Sequence, residues 1–230
     1  MDWAAVVEVI DDLGGLDLNI TQGEMNQINK YKKDVDGVTG KNTPNVTQYG
    51  LVHLDGTQAT TYARIRKLSG DDFKRASRQR IVLQAMLEKA KKANPATLVK
   101  ICNSVVDDIS TTLSLDQMVS LAKDVTKYKI SSTTGFPTDL TTKNMPRCGD
   151  TVIPADLVTN VKKLHEYMFD DAAYTPSQTV QAISDTIVNT TGITADSAKI
   201  NTSDYNETVG ATGTDEIQKG SETTGGTNVQ

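Results

Sequence analysis

The sequence predicts a fold of mixed class, an α/β or α+β sandwich in which helices pack against short strands. Amphipathic stretches with capping residues alternate along the chain with short runs that are typical of strands. The 230 residues, with a hydrophobic content of 37%, suit one large soluble domain or two small ones. The longest apolar runs, such as Trp3 to Val7, are far below the roughly 20 residues that a bilayer-spanning helix requires.

Capping residues and glycines order the first third of the chain. Asp2 at an N-cap and the pair Gly14-Gly15 bound a first helix. Two capping boxes follow, at Thr21–Glu24 and at Asp55–Gln58, and each indicates a helix start. The predicted elements are a helix over residues 2–13, a strand over 16–20, a short helix from 21, an exposed loop over 35–46 and a helix from 55.

A long helix is predicted from about Asp72 to Lys92. At 100° per residue, polar residues of its first turns share one face with the apolar residues of its later turns. We therefore expect these polar groups to be buried, with Arg78 flanking that face, Arg80 near its other edge and Lys74 on the opposite, solvated side. A buried arginine must be paired with a carboxylate or a ligand. The predicted buried face consists of Asp72, Arg75, Gln79, Val82, Leu83, Met86 and Ala90.

The second half of the chain repeats the mixture of helices and strands and then changes composition. After about Thr191, Thr, Gly, Ser, Asn and Asp dominate, and such a segment buries too little apolar surface to offset its conformational entropy. We expect an ordered domain over residues 1–193 and a disordered tail over residues 194–230. The predicted elements are helices over 95–106, 115–126, 156–169 and 176–188, and strands at 129–131 and 151–153.

The distribution of arginine indicates a local anion site. Five of the six arginines fall within the 17 residues 64–80 of a chain whose formal net charge is −5, whereas the 18 lysines are spread along it. Guanidinium offers a planar fork of donors that matches phosphate bidentately. A single local anionic ligand fits this pattern better than a nucleic acid, because a duplex-binding domain usually has a basic overall balance.

The cysteines and histidines do not indicate a further functional site. Cys102 and Cys148 are either free thiols or one disulfide, and their spacing matches no zinc motif. His53 and His165 lie in different segments, without a neighbouring cysteine or serine motif. We expect a structural role for both histidines.

Three closely spaced segments carry the most specific pattern of the sequence. They are Leu54-Asp55-Gly56-Thr57-Gln58-Ala59, Tyr62-Ala63-Arg64-Ile65-Arg66 and Gly70-Asp71-Asp72-Phe73-Lys74-Arg75-Ala76-Ser77-Arg78-Gln79-Arg80. Their order and spacing resemble the signature of the LytR-CpsA-Psr family. The glycine turn at Gly14-Gly15 and the region from Leu164 to Ser177 also resemble parts of that domain, so the resemblance covers residues 2–193.

The resemblance implies an α/β/α sandwich with a mixed central sheet, of which residues 1–193 would form the C-terminal part. It implies a transferase that moves a glycopolymer, such as teichoic acid or capsular polysaccharide, from an undecaprenyl-pyrophosphate carrier to a hydroxyl of peptidoglycan. The reaction would need Mg²⁺ and would take place at the extracytoplasmic face of the bacterial membrane. The chain would associate with the membrane through the lipid substrate or through an anchor that it does not itself contain.

The resemblance also implies roles for individual residues. Matching positions would make Arg64, Arg66, Arg75 and Arg78 the clamp for the pyrophosphate, with Gln79 as a polar partner. Asp72 would orient the arginines or lie near the metal, and Arg64, Arg66 and Asp72 would act in catalysis. Fixed guanidinium groups suit this chemistry, because cleavage of a pyrophosphate depends chiefly on positioning and charge stabilisation.

One part of the family pattern has no counterpart in this sequence. Members carry an N-terminal transmembrane helix and a half-domain with acidic magnesium ligands, whereas Met1 stands where that half would end. We therefore assign no metal ligands and expect the isolated chain to be weakly active or inactive. Two alternatives remain: a module that binds polyprenyl pyrophosphate or anionic wall polymer without turnover, and arginines that only form ion pairs with Asp55, Asp71 or Asp72.

Overall fold

The computed structural model describes residues 3–66 and 71–205, without the side chains of residues 71, 72 and 205. The described residues form two compact units, one of residues 3–66, 71 and 82–126 and the other of residues 72–81 and 127–205. Helices and strands are mixed in both units, which confirms the α/β class.

The first unit combines a small sheet with most of the helices. Its strands β1 and β2 are antiparallel, in a register that sets Leu16 opposite Leu54 and Ile20 opposite Gly50. The alternation of β1 buries Leu16, Leu18 and Ile20 on one face. The elements are α1 (Trp3–Asp12), β1 (Leu16–Ile20), α2 (Gln22–Thr39), β2 (Gly50–Leu54), α3 (Gly56–Ala63), the C-terminal part of α4 (Asp71–Lys92), α5 (Pro95–Val105) and α6 (Leu115–Lys123).

Both predicted capping boxes are present. The hydroxyl of Thr21 accepts a hydrogen bond from the Glu24 amide at 3.2 Å, and the Glu24 carboxylate accepts one from the Thr21 amide at 3.0 Å. Asp55 and Gln58 make the equivalent pair of bonds at 2.8 and 3.0 Å. Each box satisfies amides that the first turn of a helix leaves without an intrahelical partner, so it fixes where α2 and α3 begin.

Helices α1 and α3 approach each other closely at Gly56. A Cβ atom on Gly56 would lie 2.2 Å from the Val7 carbonyl oxygen, so this contact requires glycine. The Gly56 amide also donates to the Asp11 carboxylate at 2.6 Å. Every residue of α3 up to Tyr62 is buried, and α3 is therefore held firmly by its neighbours.

The predicted exposed loop over residues 35–46 is wrong in its first part, because α2 extends to Thr39 and buries Val35 and Asp36. Polar side chains of α2 then hold the segment that follows the helix. The Asn29 side chain bonds both the amide and the carbonyl of Val46 at 2.8 Å, and Asp36 accepts from the Thr43 amide at 3.2 Å. The polar side chains of α2 therefore hold the segment that follows the helix. The turn-forming composition of residues 35–46 does not reveal these contacts.

The second unit contains a three-stranded antiparallel sheet in the order β4-β3-β5. The buried side chain of Asn160 ties the sheet to α7: its oxygen accepts from the Asp139 amide, and its nitrogen donates to the Asp139 carbonyl, both at 2.9 Å. The elements are the N-terminal part of α4, β3 (Asp139–Met145), β4 (Gly149–Pro154), α7 (Leu157–Phe169), α8 (Gln178–Thr191) and β5 (Ile200–Asn201).

The strands differ from the expectations in three ways. The strand expected at 129–131 is absent from this described segment, and β2 and β3 form where no strand was predicted. One mixed sheet was expected, whereas the strand pairs of the described residues are all antiparallel and belong to two separate sheets. Finally, β5 lies in the segment that was predicted to be a disordered tail, yet it pairs with β3. Regular structure therefore continues to residue 205. Residues 206–230 lie outside the described part.

Candidate functional site

Two of the predicted site residues, Arg64 and Arg66, lie together at one pocket of the first unit. The pocket has a volume of about 170 Å³. Arg64 caps the C-terminal end of α3, and its amide donates to the Thr61 carbonyl at 3.0 Å. The residues that line the pocket are Tyr31, Asp34, Thr61, Arg64, Ile65 and Arg66.

Arg64 lies against the single tryptophan of the chain. Its Cζ atom is 3.1 Å from the centroid of the Trp3 ring, which is a cation–π contact. Burial lowers the pKa of the Arg64 guanidinium, and the negative charge of Asp34 acts in the opposite direction. The guanidinium nevertheless stays charged at physiological pH, because arginine is effectively always protonated.

Charged side chains of both signs line the pocket. Arg64 and Arg66 contribute two positive charges, and Asp34 contributes one negative charge. Arg66 is exposed and Arg64 is half-buried. Two adjacent planar donor groups can bind several phosphate oxygens at once.

The backbone that carries Arg64 is well supported. Helix α3 is buried, is fixed to α1 at Gly56, and ends one residue before Arg64. Within the helix, the Thr61 hydroxyl donates to the Thr57 carbonyl at 2.7 Å. A site on a packed helix holds its side chains more accurately than a site on a loop does, so Arg64 starts from a fixed position.

The remaining predicted binding residues lie on the part of α4 that belongs to the second unit, and the expected orientation of this helix is wrong. Arg78 is 4% exposed and Arg75 is half-buried, but Gln79 is exposed. Leu83, expected on the buried face, is 58% exposed, and Lys74, expected in solvent, is 6% exposed. The buried residues of α4 are Lys74, Ser77, Arg78, Ile81, Val82 and Ala85.

The buried face of α4 follows two rows with a spacing of four residues. One row is Lys74, Arg78 and Val82, and the other is Ser77, Ile81 and Ala85. The sequence argument oriented the helix on the large apolar residues Leu83 and Met86, whereas the actual face mixes charged, small and β-branched residues. Arg78 therefore takes the buried place that was assigned to Gln79. The side chain of Asp72, the other expected catalytic group, lies outside the described residues.

The described residues do not fit a magnesium site by themselves. Within residues 3–66 and 71–205, no three histidine, cysteine, aspartate or glutamate residues are grouped so that they could hold a metal ion. Asp34 is the one carboxylate in the lining of the arginine pocket, and Mg²⁺ prefers an octahedron of oxygen ligands. We therefore assign no step of the chemistry to a metal.

Both histidines contact another side chain in the described part of the chain, and their structural role stays a prediction. His53 Nδ1 lies 2.8 Å from an Asp17 carboxylate oxygen, across the β1–β2 pair. The His165 ring stacks on Tyr174 with 3.3 Å between the centroids. Cys102 is buried and Cys148 is exposed, and both are free thiols.

Sequence reasoning missed the residues that complete the arginine pocket. Tyr31 and Asp34 are three residues apart and so share one face of α2. The sequence contains this spacing, but the same spacing occurs on ordinary polar helix faces and does not indicate a pocket. Trp3 was assigned only to the apolar stripe of the first helix. Its contact with Arg64 joins residues 61 positions apart in the sequence, and no local pattern reports such a contact.

None of the helices in the described part of the chain is both long and apolar enough to pass through a bilayer.

Comparison with known proteins identifies the family. A family model with the description LytR_cpsA_psr family matches residues 1–165. The chain belongs to this family. The match includes α1–α3, the arginine pocket and all of α4, so the resemblance seen in the arginine motif is confirmed over most of the described chain.

Curated relatives carry names that describe a transferase. The polyisoprenyl-teichoic acid–peptidoglycan teichoic acid transferase TagU of Enterococcus faecalis is 28% identical over 126 residues, which are 54% of this chain and 36% of the relative. The corresponding protein TagV of Bacillus subtilis is 27% identical over 183 residues, which are 76% of this chain and 43% of the relative. This chain of the LytR_cpsA_psr family thus spans less than half the length of these two relatives.

A solved structure supports the fold. Protein gbs0355 from Streptococcus agalactiae superposes with a TM-score of 0.53 and 18% sequence identity, covering 76% of this chain and 56% of that protein.

Proposed function

We propose that this chain takes part in attaching a glycopolymer to peptidoglycan by phosphoryl transfer, with an undecaprenyl-pyrophosphate-linked polymer as donor. The observation that carries the proposal is that Arg64 and Arg66, two arginines of the family motif, lie together at one pocket. The names of the TagU and TagV relatives support teichoic acid as the polymer. Capsular polysaccharide is the other polymer to test.

In the proposed reaction, the oxygen of a peptidoglycan hydroxyl forms a bond to the phosphorus that carries the polymer. The bond from that phosphorus to the bridging oxygen breaks, and undecaprenyl phosphate leaves with the electron pair, while the hydroxyl proton passes to a base or to water. Arg64 and Arg66 bind phosphate oxygens and stabilise the charge that develops on them. Because Arg64 is already held by α3 and Trp3, little reorganisation is needed during the reaction.

The other residues of the motif keep their assigned roles within this proposal. For Arg75, Arg78, Gln79 and Asp72, the roles that the family resemblance implies stay predictions, and none of those whose side chain the structure describes lines the pocket of Arg64 and Arg66. Arg78 is only 4% exposed, so its side chain is largely shielded from solvent. The exposure of Gln79 supports at most a contact that forms when the ligand is bound.

The place of action and the role of magnesium belong to the same proposal. The lipid-linked donor would hold the protein at the extracytoplasmic face of the membrane. Magnesium is expected to strengthen binding of a pyrophosphate, and a titration with and without the ion tests this requirement. A higher affinity with magnesium would support it, and equal affinities would remove the ion from the binding step.

A calorimetric titration of undecaprenyl pyrophosphate in detergent micelles into the full chain tests the proposed site. We expect the wild type to bind and Arg64→Ala to lose at least about tenfold in affinity, because a charge-assisted hydrogen bond contributes roughly 1.5–3 kcal/mol. Arg147→Gln is the matched control, since it removes the sixth arginine, which is exposed and outside the motif. Equal losses for both variants would show that only net charge matters and would refute the site.

The second candidate function is binding without turnover. The observation that favours it is that the described residues contain no group of three histidine, cysteine, aspartate or glutamate residues that could hold a metal ion. Incubation of the chain with lipid-linked polymer, peptidoglycan and magnesium separates the two candidates. Release of undecaprenyl phosphate supports the transferase, and binding without release supports the module.

A further inference from the structure

We propose that Trp3 is a positioning residue that holds the Arg64 guanidinium flat, so that its N–H edge is presented to a phosphate anion in the pocket. This inference rests on the anion site of the proposed function, and it adds a residue that the arginine motif does not contain. Trp3 lies 51 positions before Leu54, the first residue of that motif.

The geometry of the contact leaves the donors of Arg64 available. The Cζ atom lies 3.1 Å from the centroid of the Trp3 ring. At such a short distance the planar guanidinium fits only when it lies along the ring, since a tilted group would bring a nitrogen inside van der Waals contact. All five N–H bonds of a guanidinium lie in its plane, so a contact through the face uses none of them.

Trp3 and Asp34 act on Arg64 in different ways. The Asp34 carboxylate attracts the guanidinium, which is why it counteracts the effect of burial on the pKa of Arg64. A carboxylate, however, competes with a bound phosphate for the same donors, whereas an aromatic face does not. Trp3 is therefore the partner of Arg64 whose contact persists when the anion is bound.

The ring and the guanidinium are held by elements that are fixed to each other. Trp3 is the first residue of α1, and Arg64 is the C-cap residue of α3. These helices meet at Gly56, whose amide donates to Asp11 of α1 at 2.6 Å. The stack therefore does not depend on a mobile loop.

Core packing does not account for this tryptophan. Trp3 is 39% exposed, whereas Val7 and Ile10 on the same helix are at most 1% exposed. A large aromatic side chain that stays partly in solvent and covers a charged group fits a role in positioning that group. The contact also restricts a side chain that otherwise has many rotamers.

The test is calorimetric titration of inorganic pyrophosphate into the full chain. We expect Trp3→Ala to bind about fivefold to tenfold more weakly than the wild type, in line with a partly desolvated cation–π contact. Trp3→Phe should restore binding to within about threefold, because the aromatic face is kept. Tyr49→Ala is the matched control, since Tyr49 is an exposed aromatic residue of the same unit at 60% exposure and is not part of the pocket lining.

Fluorescence provides a second readout that a loss of packing would not reproduce. Trp3 is the only tryptophan, so tryptophan emission, excited at a wavelength that the seven tyrosines do not absorb, reports on this site alone. We expect pyrophosphate to change the emission of the wild type but not that of Arg64→Met. Circular dichroism should give the same spectrum and the same melting temperature for both proteins.

The outcomes separate the inference from the proposed function. Binding by the wild type, with weakened Trp3→Ala and restored Trp3→Phe, supports the inference. Binding that is lost in Arg64→Met but unchanged in Trp3→Ala overturns the inference and leaves the anion site standing. Failure of the wild type to bind either pyrophosphate or undecaprenyl pyrophosphate overturns both.

Discussion

Gly56 is the residue on which the position of the arginine pocket depends most directly. It lies where α3 crosses the backbone of α1, and it is the only residue type that leaves room for the Val7 carbonyl oxygen. The motif contains this glycine two positions after Leu54, and sequence reasoning used it only as part of the resemblance. Its physical role is to allow a close approach of two helices.

Replacement of Gly56 by alanine should destabilise the first unit by about 1–3 kcal/mol, the usual cost of overpacking. The new Cβ atom would meet backbone at 2.2 Å, so one helix must shift. The same shift should disturb the contact between Trp3 and Arg64 and should change the tryptophan emission. Urea unfolding followed by circular dichroism and by fluorescence measures both effects.

Gly37→Ala provides the control for that change. Gly37 lies inside α2, and a Cβ atom there would meet nothing within 4 Å. Alanine is preferred to glycine within a helix by about 0.5–1 kcal/mol, so this variant should be more stable than the wild type. Destabilisation of both variants to the same extent would contradict the role that we assign to the α1–α3 contact.

Among the elements, those with local signals were predictable from the sequence. The capping boxes at Thr21 and Asp55 place the starts of α2 and α3, because a cap involves residues only three positions apart. Strand β2 was missed because it pairs with the distant strand β1. Strand β3 was missed for another reason: it pairs with the adjacent β4 in a hairpin whose short turn was not recognised in the sequence. The pairing of Leu16 with Leu54 joins positions far apart in the sequence, and no local pattern contains it.

The residues of the candidate site were also predictable only in part. The clustering of arginine identified Arg64 and Arg66, and the structure places both at one pocket. The orientation of α4 was not predictable, because its apolar residues do not define a single stripe: Leu83 is exposed and Ala85 is buried. Asp34 and Trp3 could not be found, since only the fold brings α1, α2 and α3 together around Arg64.

An ionic contact joins β1, β2 and α4 on the surface of the first unit. Asp17 of β1 lies 2.8 Å from Lys89 Nζ of α4 and 2.8 Å from His53 Nδ1 of β2. Hydrogen bonds from Lys89 and then from His53 lower the pKa of the Asp17 carboxyl below its ordinary value. A carboxyl whose pKa is lower in the folded state stabilises the fold above its unfolded pKa of about 3.9.

This stabilisation should disappear as the pH falls through the lowered pKa of Asp17. We expect the wild type to melt at a slightly higher temperature than Asp17→Asn at pH 7 and the difference to shrink as the pH falls below the unfolded pKa of about 3.9. The effect should be small, because the carboxylate is half exposed and screened by solvent. Asp150→Asn, an equal change of charge at an exposed position of β4, is the control. A difference that grows on acidification would show that the contact acts in the opposite sense.

The molecule as a whole carries a charge that opposes its proposed ligand. The formal net charge is −5, yet the pocket that we assign to a pyrophosphate is lined by two arginines and one aspartate. Coulomb energy falls with distance and with screening, so contacts of about 3 Å outweigh repulsion from charges spread over the surface. A net negative charge and an anion site are therefore compatible when the cations are concentrated at one place.

The salt dependence of the affinity for pyrophosphate shows which charge controls binding: the local positive charge of the arginines or the net negative charge of the molecule. Raising the salt concentration from about 0.05 to 0.3 M shortens the screening length and weakens both the local attraction and the general repulsion. If the arginines dominate, inorganic pyrophosphate should bind severalfold more weakly at the higher concentration, and Arg64→Gln should show a smaller dependence on salt. Arg147→Gln, which changes the net charge equally, should follow the wild type. Tighter binding at high salt would mean that repulsion by the net negative charge of the molecule controls the affinity for pyrophosphate. This outcome would contradict the assignment of pyrophosphate to the arginine pocket.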